Sequence, residues 1–597
     1  MCGIVGVTNY NHSCRYERFI ESVKLLKRRG PDEYGFKFGE EYSFGHNRLV
    51  VIDKEGGHQP YSFMGYHLVY NGELYNTKEI RDELIALGYL FDGYSDTEVL
   101  LKAFHAWKED ALNRLEGIFA FGIFYDNKLF IARDRAGVKP LYYMVRDGDL
   151  FFASEIKSIL HYYDYHDVDL DGLREVLGMG PSNSLGKTPY KDIFEVKPGE
   201  YIIFDGALKK KIYWDVSARV FSMSYKEAVK KTRELLEGAI KRQMVSDVPI
   251  ATFLSGGLDS SIVTAVASEV KKDLETFTIT YEGNEKSYVS NKFQVSSDSS
   301  FIGYMNEEYG LINHEVVINN SDLANYLDEA LYNRDYPGMV DLDSSLYLFS
   351  KKIKETHTVL LSGECADEIF GGYPWFYRDD GSSSFFPWLR NLDFRETLLK
   401  EEFREKLNLK EYVKKEYEKA LSNTPILTGE SIDKIEERQM FYLNLKYFMA
   451  NLLCRKDRQT MGASLEVRVP FADHSLIEFL YNVPFSYKYR DGVEKALLRD
   501  AFKDLLPKEI YKRKKSPYPK THNKIYEDII KEKLLKSLND EKSILNKLFD
   551  KEKILSLLDS DDMDVPWYGQ LLTKPQLLAY LYQIDLWFRE YKINLIE

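Results

Sequence analysis

Cysteine is scarce: the 597 residues hold four, Cys2, Cys14, Cys365 and Cys454, far apart and in no CxxC or Cys/His spacing. That argues against a disulfide framework and a thiol-based zinc site, and a reducing cytoplasm is the expected compartment. Long apolar runs are missing too, none reaching the ~18 residues of a membrane span. The amino terminus, Met1-Cys2-Gly3-Ile4-Val5-Gly6-Val7, is apolar but lacks a basic n-region and turns polar from Asn9 to Ser13. Neither an export signal nor a membrane segment is expected. Positive charge is in deficit, 81 Lys and Arg against 94 Asp and Glu for a net charge of -13. No long-range field draws a polyanion, so no nucleic-acid partner is expected and any anionic ligand must be held locally. Repeats and low-complexity tracts are absent. What is plentiful is apolar residues, 44%, and aromatic ones, with Tyr 44 and Phe 35, which sets aside disordered and collagen-like classes.

The length allows about four domains of usual size or two large ones, and the sequence pattern favours two halves. Through about residue 205 short alternating strands (Tyr42–Phe44, Tyr66–Tyr70, Phe119–Tyr125, Lys128–Ala132, Tyr201–Phe204) are broken by Gly, Asp and Asn turns. Helical spacing there is confined to Tyr16–Lys27, Thr77–Leu87 and Thr97–Trp107, which suits packed sheets with helices outside. From about Tyr225 long helices alternate with buried β-branched strands, Ile250–Leu254, Thr276–Tyr281 and Thr358–Leu361, the pattern of a parallel α/β sheet. The boundary is expected near residues 206–222, in a basic and then mixed connector. Beyond about Asp393 the chain reads as almost wholly helical.

Cys2 is the first chemical candidate. With Met1 removed it carries a thiol and a free α-amine of pKa near ~8, a nucleophile with its own base. A buried structural cysteine is the plain alternative. Around it the sequence offers Arg48-Leu49-Val50-Val51-Ile52-Asp53, Asn71-Gly72-Glu73-Leu74-Tyr75-Asn76 and Ser95-Asp96-Thr97-Glu98. These supply a cation, amide donors and carboxylates, which an amino-acid ligand requires. Asn71 and the Gly72 N–H suit an oxyanion, although Asn-Gly is equally a hairpin turn beside a solvated Arg. With Arg29-Gly30-Pro31-Asp32, Gly57-His58-Gln59-Pro60 and Ala132-Arg133-Asp134, this half resembles glutamine amidotransferase domains with an amino-terminal cysteine nucleophile.

The second candidate, Leu254-Ser255-Gly256-Gly257-Leu258-Asp259-Ser260-Ser261, follows a buried strand and opens a helical stretch. Small residues there leave a row of N–H groups and hydroxyls, an anion site. It is similar to the pyrophosphate loop of enzymes that release pyrophosphate and leave AMP on the substrate. It is no Walker A motif; the nearest imitation, Gly180 to Thr188, has the wrong spacing and is expected to be a loop. The third, Leu361-Ser362-Gly363-Glu364-Cys365-Ala366-Asp367-Glu368, gathers carboxylates at a strand's end. Without a cation they would repel, so Asp259 and Asp367 are expected to hold Mg²⁺, with Glu364 left for proton transfer or ammonium contact. A solvated acidic helix start is the alternative. Arg455 to Met461 and Lys495 are ordinary on composition alone, and the basic run Lys512 to Ser516 is a poor nucleic-acid footprint in an acidic protein, so contact with bound phosphates or plain solvation is expected of it.

Taken in order, these motifs resemble the bacterial type of glutamine-hydrolysing asparagine synthetase over essentially the full chain. The resemblance implies an α-β-β-α sandwich of the N-terminal-nucleophile class over residues 1–210 that hydrolyses glutamine. It implies a parallel α/β pyrophosphate-loop domain with a helical carboxyl-terminal part over residues 211–597, where ATP and Mg²⁺ make β-aspartyl-AMP for attack by ammonia. The products would be asparagine, glutamate, AMP and pyrophosphate. Carried over by motif, Cys2 is the nucleophile, and Arg48, Leu49, Val50, Val51, Ile52, Asn71, Gly72, Glu73 and Asp96 hold glutamine. Leu254, Ser255, Gly256, Gly257, Asp259, Ser260, Ile279, Ser362 and Gly363 hold ATP; Glu364 matches an acid at the intermediate and Lys495 a lysine against the reacting phosphate. The resemblance leaves a homodimer open. The chain departs from the pattern at Asn47, where Glu or Arg is common, at Cys365-Ala366, where Gly-Ala or Gly-Ser is usual, and over Glu285–Asp298, a polar segment after the Thr276–Tyr281 strand. Three readings stand: synthesis of asparagine from aspartate, amidation of another carboxylate such as a cell-wall precursor or peptide, and a non-catalytic relative. Intact Cys2, Ser255-Gly256-Gly257 and Asp367 argue against the third.

Overall fold

The computed structural model describes residues 2–11, 14–283, 299–377, 385–515, 518, 523–563 and 565–597. The polar stretch Glu285–Asp298 lies outside the described residues. In the first half, two six-stranded antiparallel sheets lie face to face. One runs Phe194–Glu195, Tyr142–Arg146, Asp149–Ala153, Gly3–Thr8, Tyr42–Arg48, Glu33–Phe38; the other runs Leu208–Ile212, Glu200–Phe204, Lys128–Arg133, Gly117–Tyr125, Tyr66–Leu74, Tyr61–Phe63. Alternation along Gly117–Tyr125 shows why they stack. Ala120 and Phe124 enter the core between the sheets, whereas Phe119, Phe121, Ile123 and Tyr125 pack under helices Thr77–Ala86 and Asp96–Trp107. Helices Tyr16–Lys24 and Ile156–Tyr163 cover the other sheet through Val5, Val7, Phe19 and Val23. This is the expected α-β-β-α sandwich.

The expected connector begins differently. Leu208–Ile212 pairs antiparallel with Glu200–Phe204, and Gly206, at φ +92, turns the hairpin. All five strand residues are exposed at the sheet's edge, so no alternation marks them in the sequence. Asn71-Gly72 departs from the hairpin alternative as well, lying inside Tyr66–Leu74 and paired with Ala120 and Phe119.

The second half is built on five parallel strands in the order Ile312–Ile318, Glu275–Tyr281, Ile250–Phe253, Val359–Leu361, Glu466–Arg468. Ile250–Phe253 is first in sequence but central in space, with the later strands to either side. The crevice beyond the carboxyl ends of Ile250–Phe253 and Val359–Leu361 is therefore a topological switch point, where ligands of open α/β sheets bind. Helices dominate after Leu392. The halves are joined by more than the connector: one apolar core runs from Val5 and Phe19 through Tyr190 to Trp587, and Asn594–Ile596 pairs parallel with Asp167–Asp169. Gly180 to Thr188 is a loop, as expected.

Candidate active sites

Cys2 sits at the head of strand Gly3–Thr8, its amide N donating to Asn71 Oδ1 at 3.0 Å across the gap between the sheets. Asn71 Nδ2 is buried and has no hydrogen-bond partner among the described residues, which leaves it as a donor on the residue that holds the Cys2 backbone. Burial pushes the Cys2 thiol above its ordinary value, the Glu73 charge adding to this while the Leu49 N–H and Arg48 oppose it. Gly72 is required by its surroundings, since a Cβ there would run into Ile118 O and Phe119 Cα. Arg48 is buried and clasps its own loop, donating to Asp53 O (2.6 Å), Lys54 O (2.9 Å) and Glu33 Oε2 (3.2 Å). Leu49 and Val51 are buried, Val50 and Ile52 half-buried, and Val50 N donates to Asp32 Oδ2 at 2.8 Å. Glu73 is buried near Arg468, 3.7 Å away, and its carboxyl is raised well above the usual range by burial and by Glu466 and Asp96. Asp96 Oδ2 accepts from Tyr70 OH (2.9 Å) and Leu74 N (3.2 Å); burial raises it as well.

The second site is a cleft of about 270 Å³ at the switch point. Every predicted ATP residue lines it except Gly256. That glycine instead shapes the loop: it takes φ +66, and a Cβ would lie 2.6 Å from Phe301 Cβ. Ser255 and Ser260 close the loop on themselves, Oγ to Oγ 3.1 Å, with Gly257 N reaching Ser255 Oγ at 3.4 Å. Helix Leu258–Val270 starts here and aims its N-terminal amides into the cleft. Lys495 Nζ lies 2.6 Å from Asp259 Oδ2 and 2.6 Å from Asp367 Oδ1, and Lys515 pairs with Asp367 Oδ2. Burial alone would raise Asp367, but the two lysines overcome it and hold its carboxyl at about 2. Asp259 is raised, by burial and by the Asp367 charge.

Glu364 also lines the cleft, 2.9 Å from Lys456 Nζ and 3.6 Å from Arg455 Nη1. Composition treated both cations as ordinary. They come from helix Met449–Gly462, some ninety positions downstream, and only packing of that helix brings them to the cleft. Of the two readings of the basic run after Lys512, the structure sets aside plain solvation: Arg513 donates to Ser255 O at 3.1 Å, and Lys514 and Lys515 line the cleft. Arg29, quoted in a motif but given no role, is buried with its Nε donating to Cys2 O at 3.1 Å.

Similarity to known proteins follows the same division. The glutamine amidotransferase domain family matches residues 1–214 and the asparagine synthase family residues 231–589. Asparagine synthetase [glutamine-hydrolyzing] 3 of Bacillus subtilis is 46% identical over all of both chains. The chain belongs to the glutamine-hydrolysing asparagine synthetases. Asparagine synthetase [glutamine-hydrolyzing] 1 of the same organism is 32% identical over 87% of each chain, and amidase chry2 of Gibberella zeae is 28% identical over 87% of this chain and 88% of its own. Membership makes the chain a ligase with ATP as its nucleotide substrate. No helix among the described residues is long and apolar enough to cross a membrane. For an asparagine synthetase of this kind the fit of Mg²⁺ can be judged from the donors present. No three His, Cys, Asp or Glu side chains among the described residues form a metal cage. Asp259 and Asp367 share the Lys495 ammonium, and among the described residues Asp259 Oδ1 is buried without a hydrogen-bond partner. Two carboxylates completed by phosphate oxygens and water are a donor set that suits Mg²⁺.

Proposed function

We propose that the chain amidates aspartate to asparagine with nitrogen from glutamine, through β-aspartyl-AMP, releasing glutamate, AMP and pyrophosphate. Residues 1–210 would form the glutaminase and residues 211–597 the synthetase. The observation that carries this reading is the close approach of the Ser255–Ser260 loop and the Ser362–Gly363 turn at adjacent strand ends, with Glu364 and its two cations lining the same cleft.

In the first site the α-amine takes the Cys2 thiol proton as the sulfur attacks the glutamine amide carbon. The protonated amine returns that proton to the departing ammonia as the C–N bond breaks, and water hydrolyses the resulting thioester to glutamate and the free thiol. Asn71 Nδ2 and the Gly72 N–H meet the developing oxyanion, and Leu49 N–H steadies the sulfur. Arg48 fixes the loop through Ile52 against the substrate, while Glu73 and Asp96 offer carboxylates to its ammonium. In the second site the loop from Leu254 to Ser260, with Ser362, Gly363 and Ile279, holds ATP, and Lys495 is released from its two aspartates to the phosphates. Asp259 and Asp367 would hold Mg²⁺, which when bound neutralises phosphate charge. Glu364, kept in place by Lys456, faces the acceptor and can take a proton from the attacking ammonia. Four unpaired thiols are consistent with a cytoplasmic setting.

The test is product analysis with glutamine, ATP, Mg²⁺ and aspartate, alongside other carboxylates. Asparagine, glutamate, AMP and pyrophosphate in equal amounts are expected. ADP with phosphate would remove the adenylate, and amidation of a different acid in preference to aspartate would replace the acceptor.

A further inference from the structure

Helix Met449–Gly462 serves both sites from consecutive residues. Lys456 points at Glu364 in the cleft; Asp457, turned about 100° around the axis, points across the seam into the glutaminase half. There it meets Arg29. The guanidinium forks onto the carboxylate, Nη1 to Oδ2 at 2.7 Å and Nη2 to Oδ1 at 3.2 Å, and its remaining edge donates from Nε to Cys2 O at 3.1 Å. Arg29 and Asp457 are both buried. Burial would raise the Asp457 carboxyl, but Arg29 and Lys139 overcome it and hold it below its ordinary value, so it is ionised wherever the enzyme is assayed.

A two-point fork fixes the plane of a guanidinium as a single contact does not. Glu155 Oε1 also lies 3.2 Å from Arg29, but it makes a single contact and is shared with Lys157 and Arg458, as Asp457 is with Lys139 at 3.4 Å, so only Asp457 gives Arg29 a two-point hold. The backbone of Cys2 is thus pinned at both ends, its N by Asn71 from within the first half and its carbonyl by Arg29, whose direction is set from the second. We infer that Asp457 is a positioning residue for the Cys2 nucleophile, supplied to the glutaminase by the synthetase half through Arg29. The inference rests on the reading of Cys2 as the nucleophile.

The experiment uses the full chain with Asp457→Asn, Asp457→Glu and, as control, Cys2→Ala, measuring glutaminase kcat and KM and ammonia-dependent asparagine synthesis. A displaced nucleophile lowers kcat without weakening ground-state binding, so Asp457→Asn should lose roughly 100-fold in glutaminase kcat with KM within about twofold. Ammonia-dependent synthesis should stay within about twofold of wild type, and Asp457→Glu, which keeps the charge, should recover about tenfold of the loss. A role as mere cement between domains would lower both activities together, and that parallel loss in either variant overturns the inference. Should Asp457→Asn not accumulate as folded protein, Asp457→Glu decides alone: a kcat about tenfold down with synthesis intact supports the inference, and wild-type glutaminase overturns it. Glutaminase surviving in Cys2→Ala would sink the nucleophile itself, whereas a fully active Asp457→Asn beside an inactive Cys2→Ala sinks only the positioning role.

Discussion

A Cβ atom on Gly363 would stand 2.6 Å from the backbone nitrogen of Ser260, closer than side-chain carbons are found to any such atom. The two loops at the ends of neighbouring strands touch backbone to backbone, and the cleft proposed to hold ATP is the shape left by that contact. Neither loop can accommodate a methyl group by rotating a side chain away, because both contacting atoms belong to the main chain.

Gly363→Ala should therefore separate the loops and misplace the phosphate-facing groups, lowering synthesis by roughly 100-fold with either nitrogen source. The glutaminase site shares none of these atoms and should keep its rate. Parallel assays of asparagine formation and glutamine hydrolysis check this, and a variant that synthesises normally would show that the contact does not shape the site.

Asp367 is held ionised at about 2 between Lys495 and Lys515. Asp367→Asn leaves two buried or half-buried cations facing a neutral amide and removes a carboxylate from the proposed Mg²⁺ site; Asp259→Asn removes the other. Synthesis should collapse in each while glutamine hydrolysis survives, and the Mg²⁺ needed for half-maximal residual activity should rise. Wild-type synthesis by Asp367→Asn at limiting Mg²⁺ would contradict the assignment.

Glu368 titrates in the neutral range for a physical reason. Burial, with the Asp367 charge beside it, pushes its carboxyl up to about 7, against ~4.3 for an exposed glutamate. Between those values the folded chain holds a proton that the unfolded chain has released, so this group's contribution to stability falls as pH rises from ~4.3 through about 7 and is level beyond. Glu368→Gln keeps an acceptor for the Tyr373 hydroxyl and cannot ionise. Its melting temperature relative to wild type should climb between pH 5 and pH 8. A difference that does not change with pH would show that Glu368 ionises normally.

Some of this was legible in the sequence and some was not, for reasons that particular residues make plain. The Ser255–Ser260 loop and the Glu364–Asp367 turn are local: strand, small residues and charge are contiguous, and the structure sets both in one cleft. Cys365, where the resemblance expects glycine, adopts φ +76, the left-handed region that glycine favours, so the departure falls on a constrained position of the turn. What stayed hidden depends on tertiary placement. Arg455 and Lys456 reach Glu364, and Asp457 reaches Arg29, only because one helix crosses the seam between halves, and no spacing in the chain encodes that. Leu208–Ile212 escaped because an edge strand exposed along its length has no apolar face to alternate.

Chemistry at Cys2 and synthesis in the second cleft should be separable. If the Cys2 thiolate attacks glutamine and its amine is the base, Cys2→Ala must abolish glutamine hydrolysis, since Cys2 is the one thiol among the motif residues of the first half. Ammonia should rescue asparagine synthesis in that variant, because Ser255, Asp259, Glu364 and Lys495 line the other cleft and need only neutral NH₃ delivered to it. Protein retaining Met1 should behave like the variant, as the amide that replaces the amine cannot accept a proton. Burial makes the thiol hard to ionise, so glutaminase activity should also rise with pH through the alkaline range until thiolate formation is no longer limiting. Intact mass measured on the same samples as both assays ties the outcomes together. Full glutaminase activity in Cys2→Ala, or in a homogeneous sample that keeps Met1, would leave Cys2 as a packing residue and require a different source of nitrogen chemistry in the first half.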